Sequence, residues 1–102
     1  MSGSRIYQYK KTVTPSAGEV SFNTNDIRGL MRSLMISPTT STTKWRVTLT
    51  NDDSVVVYKK GIVKGNLVDH KPISLYGIYT VAILGATVDE AFKFTLNFEE
   101  LQ

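Results

Sequence analysis

His70, the only histidine in the sequence, follows Asp69 and stands four positions before Ser74. An imidazole beside a carboxylate can serve as general base for a hydroxyl nucleophile. Residues adjacent in sequence seldom reach that geometry in space, and no Gly-x-Ser-x-Gly elbow accompanies them. A solvated loop histidine is the better reading, and no catalytic residue is assigned. Asn51, Asp52 and Asp53 offer oxygen donors, yet calcium wants about six to eight of them and three adjacent residues cannot all converge on one ion. Such residues more naturally bond their own backbone in a turn. Asp89, Glu90, Glu99 and Glu100 are spread over a loop and a strand end, so paired-carboxylate hydrolysis has no support beyond their presence and surface solvation accounts for them. There is no cysteine, which removes disulfides and thiolate metal sites. With no metal or cofactor-binding motif in view, no cofactor is expected and an enzyme is the least expected class.

Two segments could make contacts instead. RIYQYKK interleaves Arg5, Tyr7, Tyr9, Lys10 and Lys11, a mixture of stacking rings and phosphate-seeking charge that suits a single-stranded nucleic acid. The same pattern describes an edge strand, whose lysines discourage edge-to-edge pairing and whose tyrosines cover a core with their hydroxyls in water. The edge strand or subunit contact is preferred. Met31 and Met35 fill irregular apolar space by default, and methionine is also common at adaptable contact surfaces. The candidate partner contacts are therefore Tyr7, Tyr9, Lys10, Lys11, Met31 and Met35. The formal charge of +3 is spread along the chain, and sequence spacing shows no concentrated basic face.

These residues need elements to hold them. A chain of 102 residues, 41% hydrophobic and 21% charged, is expected to form one domain over residues 1–102. The start of the chain lacks an apolar run of signal-peptide length, and no stretch has the apolar length of a transmembrane helix, so no membrane partner is expected. Phe92, Phe94, Leu96 and Phe98 alternate with Lys93, Thr95, Asn97 and Glu99, the period of a half-buried strand. GIYTVAIL, residues 77–84, is nearly continuously apolar and reads as a strand covered on both faces. With Gly85 and Asp89 between them, residues 76–98 read as a hairpin. KWRVTLT alternates Trp45, Val47 and Leu49 with polar residues, and NDDS then turns the chain into VVVYKK, a second hairpin. RIYQYKKTV and EVSF are further extended pieces, and the connection 61–74 has room for one short strand around Ile62 and Val63.

Residues 27–37 are ambiguous. Ile27, Leu30, Met31, Leu34 and Met35 match helical spacing between Asn25 and Pro38. Gly29 weakens a helix interior by about 1 kcal/mol, and the Thr-rich link that follows suits a strand, so a strand is assigned. In regular alternation it places Leu30, Leu34 and Ile36 on one face with Arg32, and Met31 and Met35 on the other. Both faces would then be apolar, the second lying under other elements or another subunit. Six to eight short strands point to an all-β fold, a single antiparallel sandwich of jelly-roll or immunoglobulin-like type, with a small barrel as the alternative. The aromatic row is expected to meet Trp45, Val47 and Leu49 across its interior.

GLMRSLMISPTTSTTKWRVTLTNDDSVVVYKK followed by LYGIYTVAILGATVDEAFKFTLNFEE resembles small β-sandwich structural proteins of tailed bacteriophages, over about residues 29–100. The elements that carry it are an apolar strand ending in Ser37-Pro38, a Thr-rich link, a strand entering the Asn-Asp-Asp turn, and a closing GIYTV hairpin. The resemblance is at the level of fold and brings no catalytic residues. It implies a virion subunit of the capsid decoration, cement or head-tail adaptor type, made in the host cytoplasm and binding other virion proteins and copies of itself. The competing expectation is a small basic β-barrel that binds single-stranded nucleic acid, drawn from the pI near 9.3 and the five tyrosines. A carbohydrate-binding module is weakened by Trp45, the only tryptophan, whose alternation suggests burial.

Overall fold

A computed structural model describes residues 5–100 as strands, turns and links. In chain order the strands are β1 (Arg5–Val13), β2 (Val20–Asn23), β3 (Ile27–Pro38), β4 (Lys44–Thr50), β5 (Val56–Lys64), β6 (Leu67–Asp69), β7 (Ile73–Gly77), β8 (Thr80–Leu84) and β9 (Phe92–Glu100). They form two antiparallel sheets in a sandwich. One has five strands in the order β1, β9, β3, with β6 and β7 following each other along the far side of β3; the other runs β2, β8, β4, β5. The expected all-β antiparallel sandwich is the architecture seen. It has nine strands among the described residues, where six to eight were expected, because the connection 61–74 is more ordered than its turn residues suggest. β5 continues through Ile62 and Val63 to Lys64, and β6 and β7 follow.

Alternation supplies the core. Phe92, Phe94 and Leu96 on β9 are fully buried and share one cluster with Trp45, Val47 and Leu49 on β4 of the opposite sheet. The rings of Trp45 and Phe92 meet edge to face at 5.4 Å, and those of Phe22 and Phe94 at 5.3 Å, the arrangement favoured by the aromatic quadrupole. Both contacts join the two sheets. Trp45 also donates its indole N–H to the Gly65 carbonyl at 2.8 Å, so the ring is buried without stranding its polar atom. Phe98, last in the row, is half-buried and stacks on Tyr7 of β1 at 5.6 Å.

Three expectations are corrected. Residues 76–98 are not a hairpin, since β8 pairs with β2 and β4 while β9 pairs with β1 and β3 in the other sheet. Both strands send apolar side chains inward, and alternation cannot distinguish a hairpin from an arch that crosses the sandwich. Nor is residues 77–84 one strand covered on both faces. β7 ends at Gly77, whose φ is +101°, and the chain changes sheet before β8. Buried Tyr79 holds this corner: its N–H donates to the Thr24 hydroxyl, its carbonyl accepts the Thr24 N–H, and its hydroxyl accepts the Tyr76 N–H.

The third correction concerns β3, which is the assigned strand but not a regular one. Its register against β9 slips between Met31 and Ser33, the signature of a bulge. The slip turns Arg32 outward and places Ile27, Met31, Leu34 and Ile36 together in the core. Met31 therefore joins Leu34 rather than opposing it, and Leu30 moves to the outer face with Met35.

Candidate functional site

Of the residues first considered for chemistry, Asp69 and Asn51 hold the fold, while His70 and Ser74 lie exposed. Asp69 accepts the Tyr58 hydroxyl at 2.7 Å, joining β6 of one sheet to β5 of the other. That bond, with help from the charge of Lys60 and the N–H groups of Lys71 and His70, holds the Asp69 carboxyl below its ordinary value against the opposing effect of desolvation. Burial first, then the bond and negative charge of Asp69, push the Tyr58 hydroxyl well above the usual tyrosine value. His70 and Ser74 are both exposed, and no side-chain hydrogen bond links Asp69, His70 and Ser74 among the described residues. Asn51 accepts the N–H groups of Asp53 and Val55, each at 2.9 Å, which is the turn its sequence suggests.

Asp89 and Glu90 are more than solvated surface. Asp89 accepts the N–H groups of Ala17 and Gly18 at 3.0 and 2.9 Å, two successive residues with positive φ in the β1–β2 turn. Such a pair of N–H groups forms a small anion-holding concavity. Glu90 accepts the Thr40 N–H and hydroxyl and the Thr43 hydroxyl at 2.7–2.8 Å. Desolvation pushes the Glu90 carboxyl up, but these three bonds outweigh it and hold it below its ordinary value. Two neighbouring carboxylates on the β8–β9 link thus clasp two different loops. Glu99 pairs with Arg32 at 3.5 Å. Among the described residues, no three His, Asp or Glu side chains are grouped to hold a metal.

The candidate contact residues fall into three places. Tyr7 and Tyr9 pair with Phe98 and Leu96 and so face inward at the sandwich margin. Tyr9 packs edge to face on Phe94 and donates to the Asn23 carbonyl at 3.2 Å, and its partial burial raises its pKa. Lys11, on the same face, sits 5.9 Å from the Phe22 ring centroid. Lys10 points the other way, beside Thr95. The rings and charges of β1 thus do not form one stacking platform. Met31, with 0% of its surface exposed, is core and is withdrawn as a contact residue; the bulge at Arg32 is the reason. Met35 lies half-buried on the outer face of the five-stranded sheet.

That outer face is the site that emerges. Register places Ile6, Glu99, Leu30 and Ser74 in one row across β1, β9, β3 and β7, and Lys10, Thr95, Met35 and Val68 in another across β1, β9, β3 and β6. Between them lie Gln8, Asn97 and Ser33, and Tyr76 stands beside Arg28. Ile6, Val68 and Tyr76 are 60%, 57% and 75% exposed. Asn97 donates to the Ser33 hydroxyl at 2.7 Å while its own buried side-chain carbonyl has no protein partner. An antiparallel sheet with its inner face in a core normally presents a polar outer face. Here Ile6, Leu30, Met35 and Val68 are interspersed with polar residues, the Arg32–Glu99 pair and Lys10.

The sequence matches no known family profile and no curated protein. Among solved structures, it is similar to a chain in the structure of infectious bursal disease virus Gt strain, at 12% identity and a TM-score of 0.45, covering 95% of this chain and 32% of that one. A chain in the structure of the Gx strain of the same virus gives 12% identity and a TM-score of 0.37, covering 95% and 33%. The present chain spans about a third of the length of these viral chains. Likeness at this level carries no argument about function.

Proposed function

We propose that this chain is a non-enzymatic structural subunit of a virion, of the decoration, cement or head-tail adaptor kind found in tailed bacteriophages. It acts through protein–protein contacts with copies of itself and with other virion proteins. The observation that supports this reading is the outer face of the five-stranded sheet, where Ile6, Val68 and Tyr76 are exposed beside half-buried Leu30 and Met35. Exposed apolar groups set among polar and charged ones on one face are what a contact surface between proteins presents. The resemblance of residues 29–100 to phage sandwich proteins points the same way. Repetition of the subunit multiplies contacts that are individually weak, so a modest face suffices in a particle.

Mass spectrometry of purified particles from the virus that encodes this chain tests the reading. The expected result is recovery of the chain in fixed proportion to the major shell or tail protein. Its absence from intact particles, with the chain abundant in the infected cell, would overturn it.

A further inference from the structure

The basic residues are shared by the two sheets, but the strand carboxylates, Asp69, Glu99 and Glu100, all belong to the five-stranded one. β2, β4, β5 and β8 together contain Lys44, Arg46, Lys59, Lys60 and Lys64 and no Asp or Glu. All five are exposed, and none makes a salt bridge among the described residues. Lys44 and Lys64 are directly paired across β4 and β5, an arrangement of like charges that destabilises a sheet. Lys59 lies opposite Thr48, whose side chain is on the outer face with those of Lys44 and Arg46. A groove of about 480 Å³ separates Arg46 from Lys59 and Lys60. Its floor includes Gly61, where a Cβ would stand 2.6 Å from the Arg46 Cβ, so the arginine stem lies against bare backbone.

We infer that the outer face of the four-stranded sheet docks the phosphate backbone of a nucleic acid without reading its sequence. Unpaired lysines and an arginine supply the charge, and Ser21, Thr48, Thr50 and Thr80, which register places on the same face, supply hydroxyls of the kind that contact phosphate oxygens. Between an acidic protein and a nucleic acid, the second is favoured by what surrounds the charge. Apart from Ile62, which is 81% exposed beside the groove, and half-buried Leu84 next to Arg46, Ala82 and the hydroxyl residues leave the centre of the face small and polar, without the cluster of apolar anchors on which protein interfaces rest. The one tyrosine of these strands, Tyr58, is buried and held by Asp69. With no ring to stack on bases, duplex should bind at least as well as single strand. This face is opposite the one assigned to protein contacts, so the inference does not depend on that assignment.

Fluorescence anisotropy with a labelled 20-base-pair duplex, the matching single strand, and poly-glutamate as competitor tests it. The expected duplex affinity falls with salt along a log–log slope of about −3 to −4, since each phosphate contact contributes about −0.9. Lys59→Gln with Lys64→Gln should shallow that slope by about 2. Lys10→Gln with Lys93→Gln, on the other sheet, should leave it unchanged. Removing a repelling lysine should not lower the melting temperature, which separates loss of binding from loss of fold. No duplex binding at low salt, equal loss from the two double variants, a strong preference for the single strand, or displacement by poly-glutamate at equal charge would each overturn the inference.

Discussion

At the scale of single residues, burial and polar satisfaction decide which positions matter. Phe94 contacts Phe22 in the opposite sheet and Tyr9 on the neighbouring strand, so truncating it empties the junction of three strands. Phe94→Ala is expected to cost about 3–5 kcal/mol, and Phe94→Asp to prevent folding; urea denaturation of the first and circular dichroism of the second check this. Tyr58→Phe removes one bond to a partly exposed carboxylate, so a loss of about 1 kcal/mol is expected, and the Asp69 pKa should rise toward its ordinary value in an NMR titration. Asp69 and Glu90 both have folded-state values below their ordinary ones. The stability they contribute is complete above the unfolded-state values, near pH 4, and is lost as pH falls through the lower folded-state ones. Glu90→Gln should lower the melting temperature at pH 7 and flatten its acid decline below about pH 4. An unchanged acid limb would count against the Thr40 and Thr43 clasp. These clasps were not legible in the sequence, because Asp89 and Glu90 sit 71–72 and 47–50 residues from their partners.

Elements were easier to foresee than their pairing. Alternation marked β9 and β4 correctly, and the Asn51 turn fixed the β4–β5 hairpin, because those signals are local. The choice of sheet is not local. The chain crosses the sandwich between β1 and β2, β2 and β3, β3 and β4, β5 and β6, β7 and β8, and β8 and β9, and an inward apolar side chain looks the same from either layer. Helical spacing in β3 has a physical origin in its bulge: one extra residue at Arg32 shifts the inward set from Met31 to Leu34, a step of three that imitates a helix. Gly29, which argues against a helix, also has a steric reason to be glycine, since a Cβ there would meet the Glu99 backbone carbonyl of β9. Gly29→Ala is therefore expected to push β3 and β9 apart and cost about 1–3 kcal/mol. Hydrogen exchange should show the loss first in the amides pairing residues 30–31 with 98–99.

As a whole molecule, the sandwich is 47 × 27 × 19 Å across its Cα positions and presents two unlike faces. Tyr76, Val68, Ile6 and Leu30 make one of them partly apolar; Lys44, Arg46, Lys59 and Lys64 make the other basic. The first face could not be read from the sequence, since it gathers residues from strands far apart in the chain; the basic residues of the second come from the single β4–β5 hairpin, and what the sequence hid there is that they share an outer face. The proposed role places the first face against neighbouring protein. If a virus encodes this chain, as proposed, electron cryo-microscopy of its particles tests that placement most directly. The expected map contains this sandwich in repeated copies, with Tyr76, Val68 and Met35 covered by an adjoining subunit. A map in which the sandwich is present with that face open to solvent, or in which no density fits it, contradicts the proposal.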